Sequence, residues 1–169
     1  MKDTITISQS IISVIFVIIL SVLLGYLEIQ IEGRYGWAKN LPTWRRDMNG
    51  FVWTGYHISL WLFLLLVVHI PFIFTAWTAV KECFVLSFPV LILLMEDAFW
   101  FLMNKDFCGD DHWRQPKFGP IPRFFFIGSF FILLLSLFTN SASWMLSCLI
   151  LVILMLITFP FQVKKCVKK

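Results

Sequence analysis

Residues 83–103 read Cys83-Phe-Val-Leu-Ser-Phe-Pro-Val-Leu-Ile-Leu-Leu-Met-Glu96-Asp97-Ala-Phe-Trp-Phe-Leu-Met103. A helix crosses a bilayer with roughly 20 apolar residues, and this run is long enough. Its only charges are two adjacent acids towards its C-terminal end. Working outward, similar runs cover 7–27, 57–77 and 144–161, and a shorter one covers 123–138. The chain has 169 residues, of which 59% are hydrophobic and 14% charged, and its mean hydropathy is +0.83. A soluble domain of this size has too little interior to hide so much apolar surface. The same composition excludes a disordered chain, and 4 cysteines are too few for a disulfide scaffold. The expected fold is therefore all-α: a polytopic membrane helical bundle of five transmembrane helices, a single transmembrane domain over 1–169. Pro71 and Pro89 are expected to kink spans two and three rather than end them. Thr139–Ser143 is polar enough to turn between spans four and five.

Basic residues orient such a bundle. Arg34, Lys39, Arg45 and Arg46 fall in loop 28–56. Lys105, Arg114, Lys117 and Arg123 fall between spans three and four, and Lys164, Lys165, Lys168 and Lys169 in the tail. With five spans these regions share one side, and of the 14 basic residues only Lys2 and Lys81 lie on the other. The expected topology is N-terminus out and C-terminus in, with the first span uncleaved because Ser21–Leu27 offers no Ala-x-Ala site. The tail lysines suit an anionic inner leaflet. Topology accounts for the basic residues, so nucleic-acid binding is not implied. The cysteines, Cys83, Cys108, Cys148 and Cys166, lack CxxC spacing and read as small packing residues.

In loop 28–56, Leu41, Trp44, Met48, Phe51 and Val52 recur at helical spacing after Asn40 and Pro42. This predicts a short interfacial helix in the first inner loop. Glu28 and Glu32 are four apart and share a helix face, and His57 opens span two. Asp97 precedes Asn104 by one helical heptad, roughly 10 Å of rise. An ionised carboxylate there costs on the order of 2–3 kcal/mol, so two adjacent acids require compensation. His69 lies about 18 Å along its helix from His57 and reads as a hydrogen-bonded packing residue. Under the five-span topology Glu28, Glu32, His57, Glu96, Asp97 and Asn104 gather at the inner end, overhung by Arg34, Arg45, Arg46 and His112. A site there opens to the cytoplasm or inner leaflet.

The stretches Glu28-Ile-Gln-Ile-Glu-Gly-Arg-Tyr-Gly-Trp-Ala-Lys-Asn-Leu-Pro-Thr-Trp44 and Glu96-Asp-Ala-Phe-Trp-Phe-Leu-Met-Asn104, with Thr54-Gly-Tyr-His57, resemble signatures of small prokaryotic polytopic membrane proteins of unassigned activity. The resemblance implies the cytoplasmic membrane of a prokaryote and singles out Glu28, Glu32, Trp37, His57, Glu96 and Asp97. It implies no reaction, cofactor or fold.

Three functions fit these residues. In a membrane enzyme acting on a lipid or isoprenoid, Glu96 or Asp97 serves as general acid, and Glu28, Glu32 or His57 accepts or shuttles the proton. Phe99, Trp100 and Phe101 would line its pocket. A metal variant uses Glu28, Glu32, His57, Glu96 and Asp97 as mixed oxygen and nitrogen ligands for iron, manganese or zinc, at a spacing that matches no standard motif. In a transporter, Glu96, Asp97 and His69 lie on an ion path across the membrane. In a non-catalytic subunit or assembly factor, Glu96 and Asp97 pair with Arg45, Arg46 or Arg123. The partner is then a membrane complex or a second copy of the chain.

Overall fold

The computed structural model describes residues 5–33, 36, 38–48, 51–105, 117–118 and 121–167. Arg34, Trp37, Cys108, His112, Arg114, Lys168 and Lys169 lie outside them, as do the side chains of Lys117, Lys164, Lys165 and Cys166. The elements run α1 (Ile7–Glu32), β1 (Arg45–Met48), β2 (Phe51–Thr54), α2 (Gly55–His69), a 3-10 turn (Ile70–Ile73) and α3 (Ala79–Met103). Then come β3 (Lys117–Phe118), β4 (Ile121–Pro122), α4 (Arg123–Phe138) and α5 (Ala142–Val167). Among the described residues four helical stretches are long and apolar enough to cross a membrane: Ile7–Glu32, Gly55–Ile73, Ala79–Met103 and Ala142–Pro160. The fifth helix, α4, has the expected bounds but only 16 residues.

α3 is the hub and packs against each of the other four helices. α1 runs parallel to it in constant register. The Ser21 hydroxyl donates to the Ile92 carbonyl (3.0 Å), and Asn104 Nδ2 donates to the Gly33 carbonyl (3.2 Å). Gly25 sits against Glu96 between them. All three pairs are 71 residues apart. The buried face of α1 is Ser10, Ser13, Val17, Ser21, Gly25, Glu28 and Glu32, mostly small residues one helical turn apart. In a bilayer, where burial of apolar groups against each other adds little, helices associate through such close backbone approach and through hydrogen bonds. α5 is also parallel to α3: Trp144 Nε1 donates to Ser87 Oγ (3.1 Å) and the Phe101 and Phe159 rings meet at 5.3 Å. α2 and α4 run the other way. His69 at the end of α2 meets Glu82 at the start of α3, and Gly128 near the start of α4 meets Leu94. The helices therefore alternate in direction.

Two expectations are corrected. The first inner loop holds a β-hairpin, not an interfacial helix: Arg45 pairs with Thr54, Arg46 with Trp53, Asp47 with Val52 and Met48 with Phe51, antiparallel. In the sequence Asn49 and Gly50 fall between the paired residues Met48 and Phe51. Asn-Gly flanked by strand-forming residues is a strong two-residue hairpin signal, and Phe51, Val52, Trp53 and Thr54 all favour strand. Span two, expected over 57–77, ends as an α-helix at His69. Pro71 lacks the N–H that would continue the ladder, and the chain tightens into the 3-10 turn, with the Ile70 N–H already bonded to Val67. Pro89, by contrast, lies within unbroken α3.

Candidate functional site

The four acids and the histidine singled out in the sequence, Glu28, Glu32, His57, Glu96 and Asp97, line one cavity of about 120 Å³. It sits where the C-terminal ends of α1 and α3 meet the start of α2 and the hairpin. Its other walls include Trp53, Trp61, Trp100, Phe101 and Phe124.

Local sequence positions each group. The i, i+4 spacing puts Glu28 and Glu32 on the α1 face that packs on α3, and both are buried. Gly25, one turn before Glu28, makes this approach possible: a Cβ there would lie 3.2 Å from the Glu96 carbonyl oxygen and 3.2 Å from the Trp100 nitrogen. Glu28 hydrogen-bonds both the Tyr56 phenol and Glu96. Two carboxyl groups bond in this way only with a proton or a cation between them. Glu96 is 3% exposed. Among the described residues its Oε1 has no hydrogen-bond partner. Asp97, the next residue, is half-buried and faces the same space.

His57 enters from α2. Thr54, fully buried, caps that helix, its hydroxyl accepting the His57 backbone N–H at 3.2 Å. The same Oγ1 lies 2.6 Å from His57 Nδ1. This contact orients the ring and leaves Nε2 towards the cavity, 3.5 Å from Glu32 Oε1. Glu32 Oε1 also accepts the Ala38 N–H at 2.6 Å. The chain folds back over Glu32 through Gly36 and Ala38, both at positive φ (62° and 49°). A Cβ at Gly36 would lie 3.0 Å from the Trp100 ring, so only glycine fits this close approach. One carboxylate oxygen each from Glu28 and Glu32 and one nitrogen of His57 fall within 4.8 Å of one another. These residues are therefore the set that can hold a cation, and Glu96 reaches them through Glu28.

Other sequence candidates go elsewhere. Arg45 donates to the carbonyl oxygens of Ala38 and Leu41, not to the acids. His69 bonds Glu82 (2.9 Å) and the Leu65 carbonyl (2.6 Å) at the opposite end of the bundle. There Trp77 Nε1 also donates to Glu82, at 2.8 Å. Phe99 is not among the residues lining the cavity. Trp37 lies outside the described residues. Sequence reasoning passed over Thr54, Tyr56, Gly25 and Gly36 as site residues. The Thr-x-x-His spacing at a helix start is a legible signal for the Thr54 cap. No periodicity marks Tyr56.

Comparison with protein-family models, with curated proteins and with solved structures finds no match to this chain, so the reading of its function rests on the residues of this cavity.

Proposed function

We infer that the chain is an integral membrane protein of a cytoplasmic membrane whose acidic cavity opens towards the cytoplasm and performs acid–base chemistry on the reacting end of a lipid or isoprenoid. One observation carries the reading: ionisable side chains from three helices converge on a single cavity walled largely by aromatic rings. Intramembrane ionisable groups are expensive and default to function. Glu96 or Asp97 serves as general acid. Glu28, between Glu96 and the Tyr56 phenol, passes the proton on, and Glu32 and His57 complete the relay.

The walls support an apolar substrate. Trp61 lines the cavity and is 41% exposed on the outside of the bundle. α2, which carries it, buries only Leu64 completely, so this wall is the thinnest boundary with the bilayer. A cavity of about 120 Å³ is smaller than the ~300–1,000 Å³ pockets that enclose a whole drug-sized ligand. The reacting end enters and the chain stays in the lipid. The cytoplasmic orientation is supported by Lys39, Arg45, Arg46, Lys105 and Arg123, all at the cavity end, against Lys81 at the other.

Conduction has less support. Ser21 and Ser147 spend their hydroxyls on backbone carbonyls, and Ser10 and Ser87 on carbonyls and on neighbouring side chains; these are contacts within and between the packed helices. The scaffold reading calls for Arg45, Arg46 or Arg123 on Glu96 and Asp97, and of these Arg45 is engaged by the Ala38 and Leu41 carbonyls.

The test is conversion of membrane polar lipids and polyprenyl alcohols by the purified protein, followed by mass spectrometry. The wild type is expected to form a new product. Glu96→Gln and Asp97→Asn are expected to lose about 10²–10⁴ of the rate, the usual contribution of a positioned general acid. A wild type that converts neither class, yet moves ions across liposomes in a Glu96-dependent way, overturns the proposal.

A further inference from the structure

The geometry points to a divalent transition-metal site formed by Glu28, Glu32 and His57, with Glu96 as the fourth ligand. This deepens the reading of the cavity as the functional site and rests on it. The donor set is oxygen, oxygen, nitrogen and oxygen, which suits manganese, iron or zinc better than the all-oxygen cages of calcium or magnesium.

Two atoms bound to one ion at ~2.1 Å with a tetrahedral angle lie ~3.4 Å apart. His57 Nε2 and Glu32 Oε1 are 3.5 Å apart. The trio as a whole falls within 4.8 Å, so closing on an ion asks for side-chain shifts of about 1.4 Å at most, judged against that ligand spacing. The supports are those of built metal sites, where a ligand's far side is held by a hydrogen bond. Thr54 Oγ1 holds His57 Nδ1 in this way, at 2.6 Å, and the Ala38 N–H fixes Glu32 by bonding Oε1 itself at 2.6 Å.

Clustered acids alone would not establish a ligand. The independent observation is Glu96. Its residue is 3% exposed, its Oε1 has no hydrogen-bond partner among the described residues, and it lines the same cavity. A buried carboxylate oxygen left in this way is destabilising, and a cation removes that cost. With Glu96 on the ion, Asp97 in the same cavity is the carboxyl left to serve as general acid.

The experiment uses the full chain, purified in detergent micelles, stripped with a chelator and titrated separately with MnCl2 and ZnCl2. One equivalent of one of these ions is expected to bind saturably. Glu28→Gln, Glu32→Gln and His57→Gln are expected to weaken it at least tenfold, while Glu82→Gln at the opposite end leaves it unchanged. Should the variants fail to fold, the wild type still decides. Its Mn²⁺ electron-spin-echo spectrum is expected to carry the ¹⁴N modulation of one imidazole. Absence of saturable binding of either ion to monodisperse wild type overturns the site, and so does a Mn²⁺ spectrum without nitrogen coupling. The two proposals separate cleanly. Lipid conversion by a protein that binds neither ion overturns the metal and leaves the acid–base function. Metal binding without lipid conversion overturns the function and leaves the metal.

Discussion

Replacing Glu96 with methionine separates a site from a structural pin. Methionine nearly matches glutamate in length and bulk, so the cavity wall keeps its packing. Glu96 is 3% exposed with Oε1 unpartnered among the described residues, and removing that atom returns about 1–3 kcal/mol. The substitution also breaks the bond to Glu28, worth about 1 kcal/mol, but Glu28 keeps the Tyr56 phenol. The net change is a stabilisation of about 1 kcal/mol, or ~2–4 °C in Tm for a chain of this length. Thermal unfolding of metal-free protein in detergent, followed by the fluorescence of its 8 tryptophans, reads it directly. Lipid conversion should be lost in the same variant, since the Glu96 carboxyl that bonds Glu28 in the relay is gone. A Tm that falls by about 5 °C or more, with stability restored by Glu96→Gln, refutes the reasoning. The carboxyl would then hold α1 to α3 instead of serving chemistry.

Two further substitutions test how the site is positioned. Gly25→Leu forces α1 off α3, because even a Cβ there meets Glu96 and Trp100 backbone atoms at 3.2 Å. Overpacking of this kind costs about 1–3 kcal/mol. It should lower Tm and weaken Mn²⁺ or Zn²⁺ binding together, as Glu28 and Glu32 ride on the displaced helix; unchanged values of both contradict the close-approach argument. Thr54→Val removes the α2 cap, worth about 0.5–2 kcal/mol, and frees His57 Nδ1. Metal affinity should fall about 10–100-fold, as for other hydrogen bonds that orient a ligand. Thr54→Ser should restore both stability and affinity, and a failure of serine to rescue affinity assigns Thr54 to helix capping alone.

Much of the architecture is legible in the chain because bilayer solvation acts residue by residue. Long apolar runs, the bounds of α4 at Arg123–Phe138 and the acids near the end of α3 can each be read without knowing any neighbour. Short-range chemistry was also there to be read. Asn49-Gly50 is a two-residue hairpin signal, but Leu41, Trp44, Met48, Phe51 and Val52 recur at helical spacing in the same short loop, where periodicity alone separates helix from strand poorly. Pro71 marked the end of α2 for the same kind of local reason, a missing donor.

What the tertiary structure alone decided is which side chains meet. Helical periodicity relates positions on one helix but leaves its rotation against its neighbours open. Only the constant register between α1 and α3, set by Ser21 on Ile92 and Gly25 on Glu96, turns Glu28 towards Glu96. Only the hairpin brings Thr54 and His57 against Glu32. Hydropathy is a sum over single residues, whereas a site is a set of pairs, and pairs far apart in the chain are set by packing.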